Sequence, residues 1–189
     1  AINELFDSLF DLTRIDAGNY KVRLQHVDVV KLFADLSLQF EPVAVGKSLR
    51  LRTHTRPLTL WSDPVVLRRI LGNLVSNALR HTHQGGVLLA LRQREDMLVF
   101  EVWDTGVGIA REHQQAIFQE FFRVSQHQGT EDSLGLGLTI VSKLASLMGY
   151  QLALTSEANR GSVFRVMLPA FTQQEATGLP EPTVVRSAA

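Results

Sequence analysis

The chain has 189 residues, enough for one sizeable core with a short appendage. Hydrophobic residues make up 45%, lysine plus arginine equals aspartate plus glutamate at 19 each, and cysteine is absent. This excludes disulfide staples and thiol-ligated metal, and it excludes a general nucleic-acid surface, which needs a cationic excess. The absence of cysteine fits a reducing compartment. No apolar run approaches the roughly 20 residues of a membrane span, and the start lacks the basic and apolar regions of a signal peptide.

Residues 2–17 carry Ile2, Leu5, Phe6, Leu9, Leu12 and Ile15 at helical spacing, with Glu4, Asp7, Ser8 and Asp11 between them. The spacing predicts an amphipathic helix stopped by Gly18-Asn19. It opens without a cap, as expected of a chain that begins inside a longer helix. A second helix is expected after Asp28, running through Val29, Leu32, Phe33, Leu36 and Phe40 and ending before Pro42. Leu49–Thr53 and Leu58–Trp61 read as short strands. Asp63-Pro64 reads as an N-cap and first-turn proline, opening a helix that turns Val66, Leu67, Ile70, Leu71, Leu74 and Ala78 inward and ends near His81. Gly85-Gly86 is a turn; Val87–Leu91 and Met97–Val102 form a hairpin across Gln93–Asp96. A short helix is expected around Glu112–Phe118 and a longer one from Leu136 to Leu147, stopped by Gly149. Gln151–Thr155 and Ser162–Leu168 are two final antiparallel strands. Residues 171–189 have no periodicity and read as a linker or disordered tail. The sum is an α/β (α+β) two-layer sandwich: a mixed, mostly antiparallel sheet with helices on one face.

Four motifs follow in order: NLVSNALRHT, DTGVGI, FQEFFR and GLGLTIV. Asn73 and Asn77, four apart, project from one helix face. Their amide oxygens suit magnesium, which keeps water and phosphate oxygens in its shell; alternatively they decorate a solvent face. Arg80, almost a turn further, has the forked guanidinium that grips phosphate. Asp104 ends a strand and is followed by Gly106 and Gly108. A carboxylate there can accept from an exocyclic amine, and the glycines admit a flat base; the alternative is a plain turn. Phe118, Phe121 and Phe122 are core material, at least in part, and Arg123 is the functional candidate beside them. Gly135-Leu136-Gly137-Leu138 opens a helix whose first N–H groups can hold an anion.

In this order and spacing, residues 21–170 resemble the ATP-binding catalytic domain of bacterial sensor histidine kinases, of the Bergerat superfamily shared with DNA gyrase B and mismatch-repair MutL proteins. The resemblance implies a Bergerat-type ATP-binding fold, with ATP and Mg2+ as cofactors. Asn77 would ligate magnesium, and Asn73 would be its partner toward the phosphates. Asp104 would select adenine, with Gly106, Gly108, Ile109 and Phe118 around the nucleotide. Gly135 and Gly137, with Leu136 and Leu138, would close a lid over the triphosphate. His81 and Ser162 stand where the family often approaches the nucleotide, and Arg80 and Arg123 would meet phosphate charge. Residues 1–20 resemble the end of the second helix of the dimerisation and phosphoacceptor domain. None of the six histidines precedes Asp or Glu, the setting of the phosphoacceptor, so that histidine is expected outside this sequence.

The implied activity is transfer of the ATP γ-phosphate to a histidine on the dimerisation domain of the same kinase, a homodimer when full-length, for relay to a response-regulator receiver domain. The implied location is cytoplasmic, on a parent protein that is membrane-anchored or free. Two features depart from the family pattern. The segment VSQHQGTEDSL between Arg123 and Gly135 has no lysine or arginine, and Ser133 replaces a frequent glycine. A non-catalytic ATP-sensing module is therefore an alternative. An ATP-gated clamp of the gyrase or MutL kind is another, although Asn73 stands where those relatives carry a hydrolytic glutamate.

Overall fold

The computed structural model describes residues 13–15, 17–119, 122 and 135–170. Thr13–Ile15 are helical, and the Asn19 N–H closes on the Arg14 carbonyl at 3.0 Å, the helix stop expected at Gly18-Asn19. The remainder of the expected first helix, and the tail at 171–189, lie outside the described residues.

β1 (Gln25–Asp28) leads into α1 (Val29–Gly46), whose N-cap Asp28 accepts from Lys31 N at 3.1 Å. α1 does not stop before Pro42 but runs through it for another turn. Proline cannot donate to the Leu38 carbonyl; Leu38 itself is 79% exposed. The added turn buries Ala44 completely. β2 (Arg50–His54) and β3 (Thr59–Ser62) follow. β1, unexpected from the sequence, has one buried residue, Val27, and pairs antiparallel with β3 as a separate two-stranded sheet.

α2 (Pro64–His81) begins and ends where its capping residues and periodicity place it, and all six residues assigned to its inner face are buried. β4 (Gly86–Arg94) and β5 (Met97–Asp104) form the expected hairpin. The helix expected around Glu112–Phe118 is instead two short 3-10 turns, Arg111–His113 and Ala116–Phe118. Between them the Gln114 side chain donates to the Ile109 and Ser156 carbonyls at 2.9 and 3.1 Å, tying this stretch to β6 rather than to its own next turn. α3 (Gly137–Met148), β6 (Gln151–Glu157) and β7 (Gly161–Pro169) complete the chain.

The main sheet has the order β2-β4-β5-β7-β6, parallel between β2 and β4 and antiparallel elsewhere. The helices cover one face. There Leu71 and Leu74 of α2 and Leu144 of α3 share a core with Leu89, Phe100 and Val166 of the strands. Each such side chain contributes about 2 kcal/mol on burial. On the other face Glu101 is fully buried, accepting from Arg92 Nε (2.9 Å), Arg165 Nε (3.0 Å) and Trp103 Nε1 (3.1 Å). Burial raises its pKa, but the indole N–H and the two guanidiniums outweigh that, and the carboxyl titrates below the ordinary glutamate range.

Candidate functional site

The site is assembled at the ends of α2, β5, β7 and α3. α2 is fixed at its start by Asp63, whose Oδ1 accepts from Val65 N (2.9 Å) and Val66 N (3.1 Å) while Oδ2 accepts from Arg23 N (2.7 Å). That anchor sets the rotation of a helix whose apolar stripe faces the core and whose Asn73 and Asn77 are left half-buried beside it. The Asn73 amide donates to the Arg69 carbonyl at 2.8 Å, which leaves its oxygen outward. A Cβ on Gly137 would sit 3.3 Å from that oxygen, so the first and fourth motifs touch. Asn77 has no side-chain partner among the described residues. Arg80 is half-buried; its Nη1 is shielded from solvent and has no acceptor there.

The second motif is locked onto the end of α2. Val107 N donates to the His81 carbonyl at 3.2 Å, and a Cβ at position 106 would lie 2.3 Å from that oxygen. Only glycine admits so close an approach. Thr105 Oγ1 donates to the Gln84 carbonyl (2.9 Å) and accepts from Gly86 N (3.0 Å). Gly108 has φ +64, and a Cβ there would meet the Glu157 carbonyl at 2.0 Å.

Asp104, half-buried at the end of β5, pairs in register with Ser162 of β7. Its Oδ1 accepts from Gly106 N at 2.8 Å. Burial raises its pKa; the N–H groups of Gly106 and Ser162 and the Ser162 hydroxyl pull it back only in part, so it remains above the ordinary aspartate range. Ser162 Oγ lies 3.0 Å from Ser156 Oγ, which accepts from Ile109 N at 2.8 Å. The second motif is thereby tied to the last hairpin as well as to α2.

Phe118 packs edge-on against Phe164 at 6.4 Å, in the core as much as at the site. Arg123 lies outside the described residues, as does the segment 124–134. Leu136 is buried at the N-terminus of α3 and Leu138 packs on the core, while Gly135 and Gly137 flank the helix start. Among the described residues no side chain caps α3; the first N–H groups of a helix lack intrahelical acceptors and can bind an anion.

The sequence alone did not single out Ser156, Gln114 or Thr105. Ser156 was open to discovery as the inward position after Leu152 and Leu154; Gln114 carries no local signal, because its role depends on a strand 42 residues away.

The site therefore combines a hydrogen-bonded carboxylate, neutral amide oxygens, a cation with one shielded nitrogen that has no acceptor among the described residues, and a helix N-terminus that no described side chain caps. These donors fit a purine, a hard divalent cation such as Mg2+, and phosphate.

The histidine kinase-, DNA gyrase B-, and HSP90-like ATPase family matches residues 62–172. The aerobic respiration control sensor protein ArcB of Escherichia coli (strain K12) is 33% identical over 175 residues, covering 89% of this chain and 22% of ArcB. The sensor histidine kinase RcsC of the same strain is 31% identical over 179 residues, covering 90% of this chain and 18% of RcsC. The chain thus spans about a fifth of the length of these relatives. Among solved structures, full-length ShkA in complex with AMPPNP superposes with a TM-score of 0.79 at 31% identity, over 88% of this chain and 35% of ShkA.

Proposed function

Because this chain belongs to the histidine kinase-, DNA gyrase B- and HSP90-like ATPase family, we propose that it binds MgATP and presents the γ-phosphate to a histidine. Its sequence and fold group it with the catalytic ATPase domains of sensor histidine kinases. The observation that carries the proposal is the convergence of three motifs. Asn73 meets Gly137, the His81 carbonyl holds Val107, and Asp104 is set beside Ser162. These contacts bring together residues far apart in sequence.

In this assignment Asp104 accepts the adenine amino group, with Ser162 supporting it and Gly106, Gly108 and Ile109 forming the wall. Asn77, with Asn73 beside it, would hold Mg2+, which would supply charge neutralisation at the phosphates. Arg80 and Arg123 meet phosphate oxygens, together with the α3 N-terminus at Gly135–Leu138. His81 and Phe118 border the nucleotide. The protein's task is positioning and charge stabilisation. The phosphoacceptor imidazole nitrogen bonds to the γ-phosphorus as the bond to the bridging oxygen breaks, and ADP leaves.

The domain boundaries that go with this proposal are 1–20 for the dimerisation helix, 21–170 for the ATP-binding domain and 171–189 for the linker. The partners are the dimerisation domain of the same kinase, which forms a homodimer, and a receiver domain. No helix among the described residues is long and apolar enough to cross a membrane.

Calorimetry of ATP with and without magnesium, on the chain and on Asp104→Ala, tests the binding half. The expected outcome is magnesium-dependent binding that the substitution abolishes. Labelling of a full-length protein from γ-labelled ATP tests transfer. Binding without labelling favours an ATP sensor, to which the lid lacking lysine and arginine also points; steady hydrolysis by the chain alone favours a clamp.

A further inference from the structure

We propose that Lys47 is a positioning residue for the triphosphate: it closes the C-terminal turn of α2 and so sets the direction of Arg80. The proposal rests on the MgATP assignment above. An α-helix ends with four carbonyls that lack intrahelical donors. In α2 these are Ala78, Leu79, Arg80 and His81, and each has a named donor. Thr82 Oγ1 donates to Ala78 at 2.7 Å, Lys47 Nζ donates to Leu79 at 2.6 Å and to Arg80 at 3.0 Å, and Val107 N donates to His81 at 3.2 Å. No glycine ends this helix; the residue after it, Thr82, is extended (φ −102, ψ 127). A distant ammonium therefore does here what a left-handed glycine does at other helix ends, and it complements the negative end of the helix dipole.

Lys47 is well placed to hold a fixed position. Its own N–H donates to the Ala44 and Val43 carbonyls at 3.1 and 3.2 Å, closing α1, and Leu49 N returns to Ala44 at 2.9 Å. One residue thus closes two helices, α1 through its backbone and α2 through its side chain. Three residues on, Arg50 N donates to the Gly85 carbonyl at 3.0 Å, next to the Gly86 N–H that Thr105 accepts. The α1 end, the α2 end and the turn after Asp104 form one connected junction. Within it, Lys47 and Arg80 are close enough that burial first, and then the Arg80 charge, lowers the lysine pKa. Two neighbouring cations, one with a shielded nitrogen lacking an acceptor, make a site that gains when an anion arrives.

The test is calorimetry of Lys47→Met and Lys47→Arg, titrated with MgATP and, by competition, with adenosine, which lacks phosphate. Lys47→Met should weaken MgATP about ten-fold, as for one misdirected charge-assisted hydrogen bond, and leave adenosine within about two-fold. Lys47→Arg should recover most of the loss. In an Arg80→Ala background Lys47→Met should have little further effect on MgATP. Equal weakening of both ligands, or no weakening of MgATP, overturns the proposal. A wild-type chain that binds neither ligand overturns the MgATP assignment itself, which is a different result. If Lys47→Met does not fold, Lys47→Gln, which keeps a donor without the charge, is read against the same two ligands.

Discussion

Asp104 is held by groups that favour its charged form, yet burial wins and keeps its pKa above the ordinary aspartate range. The ionised carboxylate is the stronger acceptor for an adenine amine, so nucleotide affinity should weaken on acidification before an ordinary aspartate would protonate. Calorimetry of MgATP from neutral pH downward checks this; an unchanged affinity through the acid range would remove Asp104 from the adenine contact. Asp104→Asn should cost about 2 kcal/mol of binding at neutral pH, the scale of a hydrogen bond to a charged group. At Gly108 the constraint is steric. Its φ of +64, and the Glu157 carbonyl 2.0 Å from any Cβ, mean that Gly108→Ala must displace backbone. A loss of about 2 kcal/mol or more in thermal stability is expected, and a melt within a degree of wild type would contradict it.

At the scale of elements, α2 carries most of the site and is anchored at both ends. Asp63 satisfies two of its first N–H groups and also Arg23 N, which ties the strand-side approach to the helix. Asp63→Ala should therefore cost about 1–2 kcal/mol in a urea titration, at the upper end for a cap. α2 was legible because its signals are local: Asp-Pro at the start and an unbroken apolar period. The last hairpin was legible for the same reason, since alternation on both strands points inward. β1 was not, because Gln25–Asp28 has a single buried residue and exists through its pairing with β3. The passage of α1 through Pro42 was not legible either, since the added turn gains a buried place for Ala44, a tertiary fact. The candidate site follows the same division. The motifs name Asn73, Asp104 and Gly137 individually, but Lys47 and Gln114 enter through contacts across long stretches of chain.

For the molecule as a whole, net charge is zero, yet a fully buried carboxylate lies on the sheet face away from the helices. Glu101 joins β4, β5 and β7 through Arg92 and Arg165. Its folded pKa is lowered, so its contribution to stability is present above the unfolded glutamate pKa and is lost as pH falls through the folded value. Glu101→Gln should lower stability by about 1–3 kcal/mol at neutral pH and flatten the acid limb of stability against pH. Chemical denaturation across that range reads both effects; an acid limb as steep as wild type would assign the slope to other carboxylates.

The antiparallel pairing of β5 with β7 sets Asp104 against Ser162 at one end of the sheet and Met97 against Pro169 at the other. The two ends are about 23 Å apart at the ordinary strand rise. Whatever follows Ala170 therefore starts from the end remote from Asp104, beside the β4–β5 turn, where Ala170 N donates to the Asp96 carbonyl at 2.8 Å. Residues 171–189 span at most roughly 65 Å when fully drawn out. On the proposed assignment, any group carried at the end of that segment reaches back to Asp104 only by spending about a third of its length on the return.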